Sequence, residues 1–251
     1  MKTRLLKNGI QTVVLFVLVI SAWGIAYHAV GNELLVPAFS DCMKKLWDLV
    51  LTVGFWQSVL RTLLRVAVAF FVAFFLAVGL ATVAYVYPKL WRWISALTAV
   101  LRTLPTLALA LILLVWWGAD DAPVAVAFLS LFPMLYTGVL AALSQVDDGL
   151  IEMSRVYKVP LKKRVFCLYL PSAAPYILRE AGSAAAFALK LVVSAEVLVN
   201  TYKSLGGMMQ EARIYLDIPQ LFALVCATTL LGVGIELLCG CCARAVERRV
   251  K

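Results

Sequence analysis

Hydrophobic residues in this chain come in long unbroken runs. They show neither the alternation of β-strands nor the single stripe of helices that float on a soluble core. Six stretches are uncharged or nearly so: Ile10–Val30, Val66–Val86, Trp93–Trp117, Ala122–Ser144, Ala181–Val199 and Ile218–Ala243. A helix needs about 20 mostly apolar residues to cross the hydrocarbon of a bilayer, and each run is near that length. Strands of a membrane barrel would alternate apolar and polar positions, and these runs do not. The pattern predicts an all-α, polytopic membrane protein with six transmembrane helices in one domain over residues 1–251. The segments between the runs are too short for a separate soluble domain.

The interruptions carry their own signals. After the first run, Leu46, Leu49, Val50 and Val53 share one helical face, and Asp41, Lys44, Lys45, Asp48 and Thr52 the other. That pattern suits a short helix lying on the membrane surface, with Ser40 or Asp41 placed to cap its start. Arg61 and Arg65 precede the second run one turn apart and are expected to snorkel or to meet lipid phosphate. Pro88 breaks the chain after the second run, Gly118–Pro123 reads as a tight turn, and Gly206-Gly207 reads as a flexible point. The longest interruption is Gln145–Leu178.

Composition agrees with the pattern and charge adds an orientation. Of 251 residues, 63% are hydrophobic and 15% charged, against a charged share of about 25% in soluble domains. The net charge of +9 suggests nucleic acid only until the charges are placed. Fourteen of the 23 basic residues fall at the two termini, beside Pro88 and in the 145–178 segment. The alternate loops hold Lys44, Lys45, Lys203 and Arg213 against seven acids, including Asp120 and Asp121. Positive loops stay inside, so both termini and the 145–178 segment are expected in the cytoplasm. The basic start Lys2–Lys7 followed by an apolar run is read as an uncleaved first helix, since Ala26-Tyr27-His28-Ala29 is a poor cleavage site.

Candidate chemistry is sparse. No GxxxxGK[ST] phosphate loop and no HExxH helix occurs, and His28 is the sole histidine. No nucleophile therefore has a histidine base beyond that one, and no ATP site is expected in this chain. The six cysteines are scattered, apart from Cys239, Cys241 and Cys242, which are expected to act as small apolar filling. No metal site is expected. Arg102, Lys190 and Glu196 fall within predicted spans, where an unpaired charge costs at least about 2.5 kcal/mol. They are expected to face the bundle interior and to find partners on other helices or on a second chain, with Glu180, Glu236 and Arg102 as candidates. They serve either as a polar path or gate, or as an internal salt bridge that fixes helix packing.

The 145–178 segment contains Glu152-Met153-Ser154-Arg155-Val156-Tyr157-Lys158-Val159-Pro160 and then Leu168-Tyr169-Leu170-Pro171. This resembles the EAA loop of ABC importer permeases: E-A-A, three residues, G, nine residues, I-x-L-P. Glu152 stands at the glutamate, Met153 and Ser154 at the alanines, Lys158 at the glycine and Leu168 at the isoleucine, while Leu170-Pro171 match. Further stretches resemble the branch of nitrate, sulfonate and taurine permeases in order along the chain. They are Leu101-Arg102-Thr103-Leu104-Pro105, Trp116-Trp117-Gly118, Phe132-Pro133, Ser194-Ala195-Glu196-Val197 and Glu211 to Asp217. Lysine in the glycine slot would cost on the order of 1 kcal/mol if the left-handed turn were kept, so a reshaped turn, or one set by Val159-Pro160, is expected.

The resemblance implies a type I permease fold and a transport subunit without catalytic activity. It implies a cytoplasmic ATPase dimer that binds ATP and Mg and docks on the segment bearing Glu152, Met153, Ser154, Arg155, Tyr157, Lys158, Leu168, Leu170 and Pro171. It also implies a second permease, identical or related, an extracytoplasmic solute-binding protein, and alternating access. Arg102 and Lys190 together would favour an anionic solute. The rival reading is a stand-alone carrier or channel with Lys190 and Glu196 as an ion relay.

Overall fold

The structure, a computed structural model, describes residues 18, 20–32 and 35–250, without the side chains of 242 and 244–250. Among these residues the chain is helical throughout, without strands. Helix α1 covers 20–30, and the first part of the expected span Ile10–Val30 lies outside the described residues. Then come α2 (Phe39–Val50), α3 (Val53–Val86), α4 (Pro88–Thr103), α5 (Thr106–Leu143), α6 (Asp148–Val156) and α7 (Leu161–Arg164). A π-helical turn (Val165–Tyr169) leads into α8 (Leu170–Val199), followed by α9 (Leu205–Ile214) and α10 (Ile218–Val250). Among the described residues, four helical stretches are long and apolar enough to cross a membrane: Val53–Val86, Thr106–Leu143, Leu161–Val199 and Ile218–Cys241.

The span boundaries differ from the hydropathy runs for identifiable reasons. The second span begins at Val53, because helix α3 extends through Arg61 and Arg65. At 34 residues it is roughly 50 Å long, longer than the hydrocarbon is thick. The run Trp93–Trp117 is not one helix. Leu104 (ψ 126°) and Pro105 (ψ 118°) are extended, since a residue before proline is pushed out of the α region. The run divides between α4 and the first part of α5. The run Ala122–Ser144 continues the same α5, which breaks at Gly118 (φ 80°, ψ 174°). That backbone region is open essentially to glycine alone. The expected Gly118–Pro123 turn is thus a single-residue break, with helix resuming at once.

Helices α3, α5 and α8 pack mutually, and α10 packs on α8 and α2. Close approach rests on small side chains. Ala69, Ala73, Ala77 and Ala81 recur every four residues on α3, all fully buried. Ala173, Ala184 and Ala188 on α8 are likewise fully buried. In a bilayer there is little hydrophobic gain from bringing helices together, so such small-residue stripes, which maximise van der Waals contact, take its place. Larger residues fill the centre, with Leu131, Leu135 and Tyr136 fully buried on α5.

One end of the bundle is closed by α2 and α9. Helix α2 starts at Phe39 after Ala38, without a side-chain cap. Ser40 and Asp41, the expected caps, lie inside its first turn, where Asp41 still favours the positive helix end. Thr52 instead caps α3, accepting from the Phe55 N–H at 3.3 Å. Trp23 ties α1 down: its indole donates to Pro37 O at 3.0 Å, and its ring meets Phe39 and Phe222. Lys45 pairs with Asp217 at 2.7 Å, and the Gln220 N–H also donates to Asp217 at 3.1 Å. Burial pushes the Asp217 carboxyl up, but the Lys45 hydrogen bond, the Gln220 amide and the Lys45 charge outweigh it, and the net shift is downward. Cys42 is fully buried in this region. Burial first, then Cys226 and Asp41, push its thiol up to about 11, so it fills space as an inert side chain.

Two outcomes test this layout. Gly118→Ala should cost about 1–3 kcal/mol, read as a lower thermal midpoint of the purified protein. The Asp217–Lys45 pair adds stability above the ordinary aspartate range, near pH 4, and loses it as pH falls through the depressed value. The midpoint gap between wild type and Asp217→Asn should therefore be constant above about pH 5 and shrink at lower pH.

Candidate functional site

Where α3, α5, α8 and α9 meet, at the α2/α9 end, a single carboxylate is enclosed. Glu196 is fully buried. The Thr62 hydroxyl donates into it, lying 3.0 and 2.9 Å from its two oxygens. The Gly206 N–H donates to Oε2 at 3.1 Å and Arg65 Nη1 to Oε1 at 3.1 Å. Thr62 Oγ1 in turn accepts the Leu205 N–H at 3.0 Å. Arg65 reaches on to α5, donating to Asp120 O at 3.1 Å and pairing with Asp120 Oδ1 at 3.0 Å. Thr201 completes the junction with a bond to Ala119 O at 2.8 Å. One buried charge thus ties four helices together, with both its oxygens occupied.

Arg65 was expected to snorkel; it is instead the partner of Glu196. Arg61, one turn earlier, does remain exposed. Glu180 and Glu236 pair with neither Arg102 nor Lys190 among the described residues. Gly206-Gly207 is not a loose point either. It forms the first turn of α9, capped by Ser204, whose hydroxyl accepts the Gly207 N–H at 2.8 Å. A Cβ at Gly206 would lie 2.6 Å from Val197 N and 2.7 Å from Val193 O, and would also collide with Glu196. Glycine here is what lets α9 sit on the carboxylate.

The other two intramembrane charges do not point into the bundle as expected. Arg102 is exposed near the end of α4, and Lys190 is exposed on α8. Neither has an ion-pair partner among the described residues. Lys190 lines a groove of about 600 Å³ between α8 and α10, together with Ser194, Thr228 and Thr229. Helix periodicity can show that such a residue lies near mid-span. It cannot show that this face of α8 is left uncovered by the rest of the chain.

At the opposite end, α6 carries Glu152, Met153, Ser154 and Arg155. Its N-cap Asp147 accepts the Gly149 N–H at 2.7 Å. Ile151 is buried, and Leu150, Met153, Val156 and Tyr157 are exposed, with Tyr157 at 77%. Exposed apolar residues of this size, set side by side, form a patch of the kind that marks contact surfaces. Lys158 keeps the left-handed turn after all, with φ 52°. The Val159 N–H reaches Ser154 O at 3.0 Å and the Lys158 N–H reaches Arg155 O at 2.9 Å, the paired bonds of a Schellman motif. The helix-ending bonds impose the conformation and the lysine bears it. Leu168 and Leu170 pack against the main core, while Pro171 is exposed at the start of α8.

Arg65→Ala should destabilise by about 3–5 kcal/mol, because it strands a buried carboxylate. Arg65→Met with Glu196→Leu should recover much of that loss, which a double-mutant cycle on thermal midpoints measures. Lys158→Gly should be neutral or stabilising by up to about 1 kcal/mol.

Comparison with known proteins adds relatives to this geometry. A probable ABC transporter permease protein of Brucella melitensis biotype 1 is 29% identical over 150 residues, 59% of this chain and 59% of its own length. The chain thus spans less than two thirds of that relative. The taurine transport system permease protein TauC of Escherichia coli (strain K12) is 22% identical over 91% of this chain and 83% of its own length. The fold is similar to the MetNI methionine ABC transporter in inward facing conformations, with TM-score 0.69, 20% identity, and 77% of this chain and 96% of that chain covered. It is also similar to an amino acid ABC transporter with histidines, with TM-score 0.62, 18% identity, and 82% and 96% covered. The family described as the binding-protein-dependent transport system inner membrane component matches residues 73–251, and the chain belongs to that family of membrane-spanning ABC importer permeases.

Proposed function

We propose that this chain, as a single domain, is one of two permease subunits of an importer for a small anionic solute, with a sulfonate such as taurine as the leading class. The second subunit is a copy of this chain or a related permease. Both termini and α6 face the cytoplasm, where an ATPase dimer docks, and α2 and α9 face the solute-binding protein. ATP and Mg belong to the ATPase; this chain transmits its motion by alternating access.

The observation that carries the reading is the exposed apolar face of α6. Leu150, Met153 and Tyr157 lie on one side of a short helix whose other side, through Ile151, is held against the bundle. A rigid knob seated in a groove of a moving partner passes that motion to the helices behind it. The stiff turn at Lys158 and the packed Leu168 and Leu170 keep the knob from yielding. A relative named for taurine transport supports the solute class, as does Lys190 standing unpaired among the described residues in the groove between α8 and α10. A second permease across that groove would turn it into a passage lined by cations. The relay reading of Lys190 and Glu196 loses force because Glu196 is enclosed by Arg65, Thr62 and Gly206.

Tyr157→Asp and Met153→Asp should abolish co-purification with the ATPase and ATP-driven uptake while leaving the thermal midpoint within a degree or two. Solute movement by the purified chain alone in liposomes would overturn the proposal. Lys190→Ala should lower taurine uptake about tenfold or more, the scale of a lost charge-assisted contact; undiminished uptake would remove Lys190 from the path.

A further inference from the structure

Behind α6, on the side away from the exposed Leu150, Met153 and Tyr157, lies a cavity of about 490 Å³. Its polar wall comprises Asp148, Glu152 and Arg155 from one face of α6, Arg164 from α7, and Tyr85 and Tyr169 from the ends of α3 and the π-helical turn. The two tyrosine rings meet edge to face at 5.5 Å.

Two features of this wall call for a ligand. Among the described residues, the one buried side-chain nitrogen or oxygen without a hydrogen-bond partner is Arg164 Nε. A buried donor left unmade is costly, more so on a charged group. Meanwhile Asp148 and Glu152 stand one turn apart on the same face, a like-charge spacing that destabilises a helix. The cavity holds two cations and two anions, yet no pair among them comes within 4.0 Å. Opposite charges that share a cavity without touching leave room for a group that satisfies both.

We propose that this cavity binds a short zwitterion, a tetrahedral oxyanion joined to a primary ammonium. Arg164 and Arg155 take the oxyanion, since guanidinium forks fit tetrahedral oxygens. Asp148 and Glu152 take the ammonium. Phosphoethanolamine has this chemistry, and the favoured source is the headgroup of phosphatidylethanolamine. Tyr85 ends a membrane-spanning helix and Tyr169 immediately precedes α8, which puts the cavity at headgroup depth, where tyrosine concentrates. A bound headgroup bridges α6 to the ends of α3 and α8, so lipid composition would tune how firmly the knob is held.

The test uses the full chain, delipidated in detergent. Native mass spectrometry compares retention of dioleoyl phosphatidylethanolamine with dioleoyl phosphatidylcholine, whose trimethylated nitrogen cannot donate to a carboxylate. At least tenfold preference for the ethanolamine lipid is expected. Arg164→Gln should reduce that retention about tenfold, and so should Glu152→Gln, a change at an exposed side chain with thermal midpoint as the folding control. Displacement by free phosphoethanolamine at comparable concentration identifies a soluble source for the same site, and displacement only by lipid identifies the bilayer. Equal retention of both lipids, or retention unchanged in both variants, overturns the proposal. The headgroup comparison needs no variant and stands even if one fails to fold.

Discussion

A carboxylate that cannot reach water holds this structure together at one end. Glu196 lies at the end of a membrane-spanning helix, and its charge is tolerable only because Arg65, Thr62 and the Gly206 amide surround it. Arg65 and Thr62 come from α3, the Gly206 amide from α9 and the carboxylate itself from α8. The need to satisfy one buried charge therefore draws α3, α8 and α9 to a common point, and Arg65 extends the tie to α5 through Asp120. Exposed ion pairs contribute little to stability. This one is different because one member is wholly enclosed, and breaking it leaves an uncompensated charge.

The middle of the bundle works by the opposite means. Alanines on α3 and α8 let the helices touch without any polar bond, and the stability there is van der Waals contact spread over many small residues. Such an interface tolerates slight sliding, whereas the Glu196 junction does not. The bundle is thus pinned by polar bonds at the α2/α9 end and held by apolar packing elsewhere.

The departures from expected motif residues have physical explanations. Lysine replaces glycine at position 158, yet the turn keeps its left-handed form because two backbone bonds close the end of α6. Leu216 does the same at the end of α9, with φ 55° and the Asp217 N–H bonded to Ala212 O at 2.9 Å. In both places about 1 kcal/mol of backbone strain is outweighed by satisfying carbonyls that would otherwise be orphaned. A motif's glycine is then a preference of the turn and not a condition for it.

Much of the architecture was legible from the residues in order. Runs of some 20 apolar residues require helices in a bilayer, since no other single segment satisfies its own backbone. The spacing from Glu152 to Pro171 indicated the family. Those signals are local, or repeat along one helix, and so survive in one dimension. The partner of Glu196 did not, because Arg65 is 131 residues away and nothing in either neighbourhood marks the pair. Nor did the outward aspect of Lys190 and Arg102, the break at Leu104-Pro105 inside an apolar run, or the gap between charges behind α6. Each depends on which faces the other helices leave covered, and that is settled only when the helices pack.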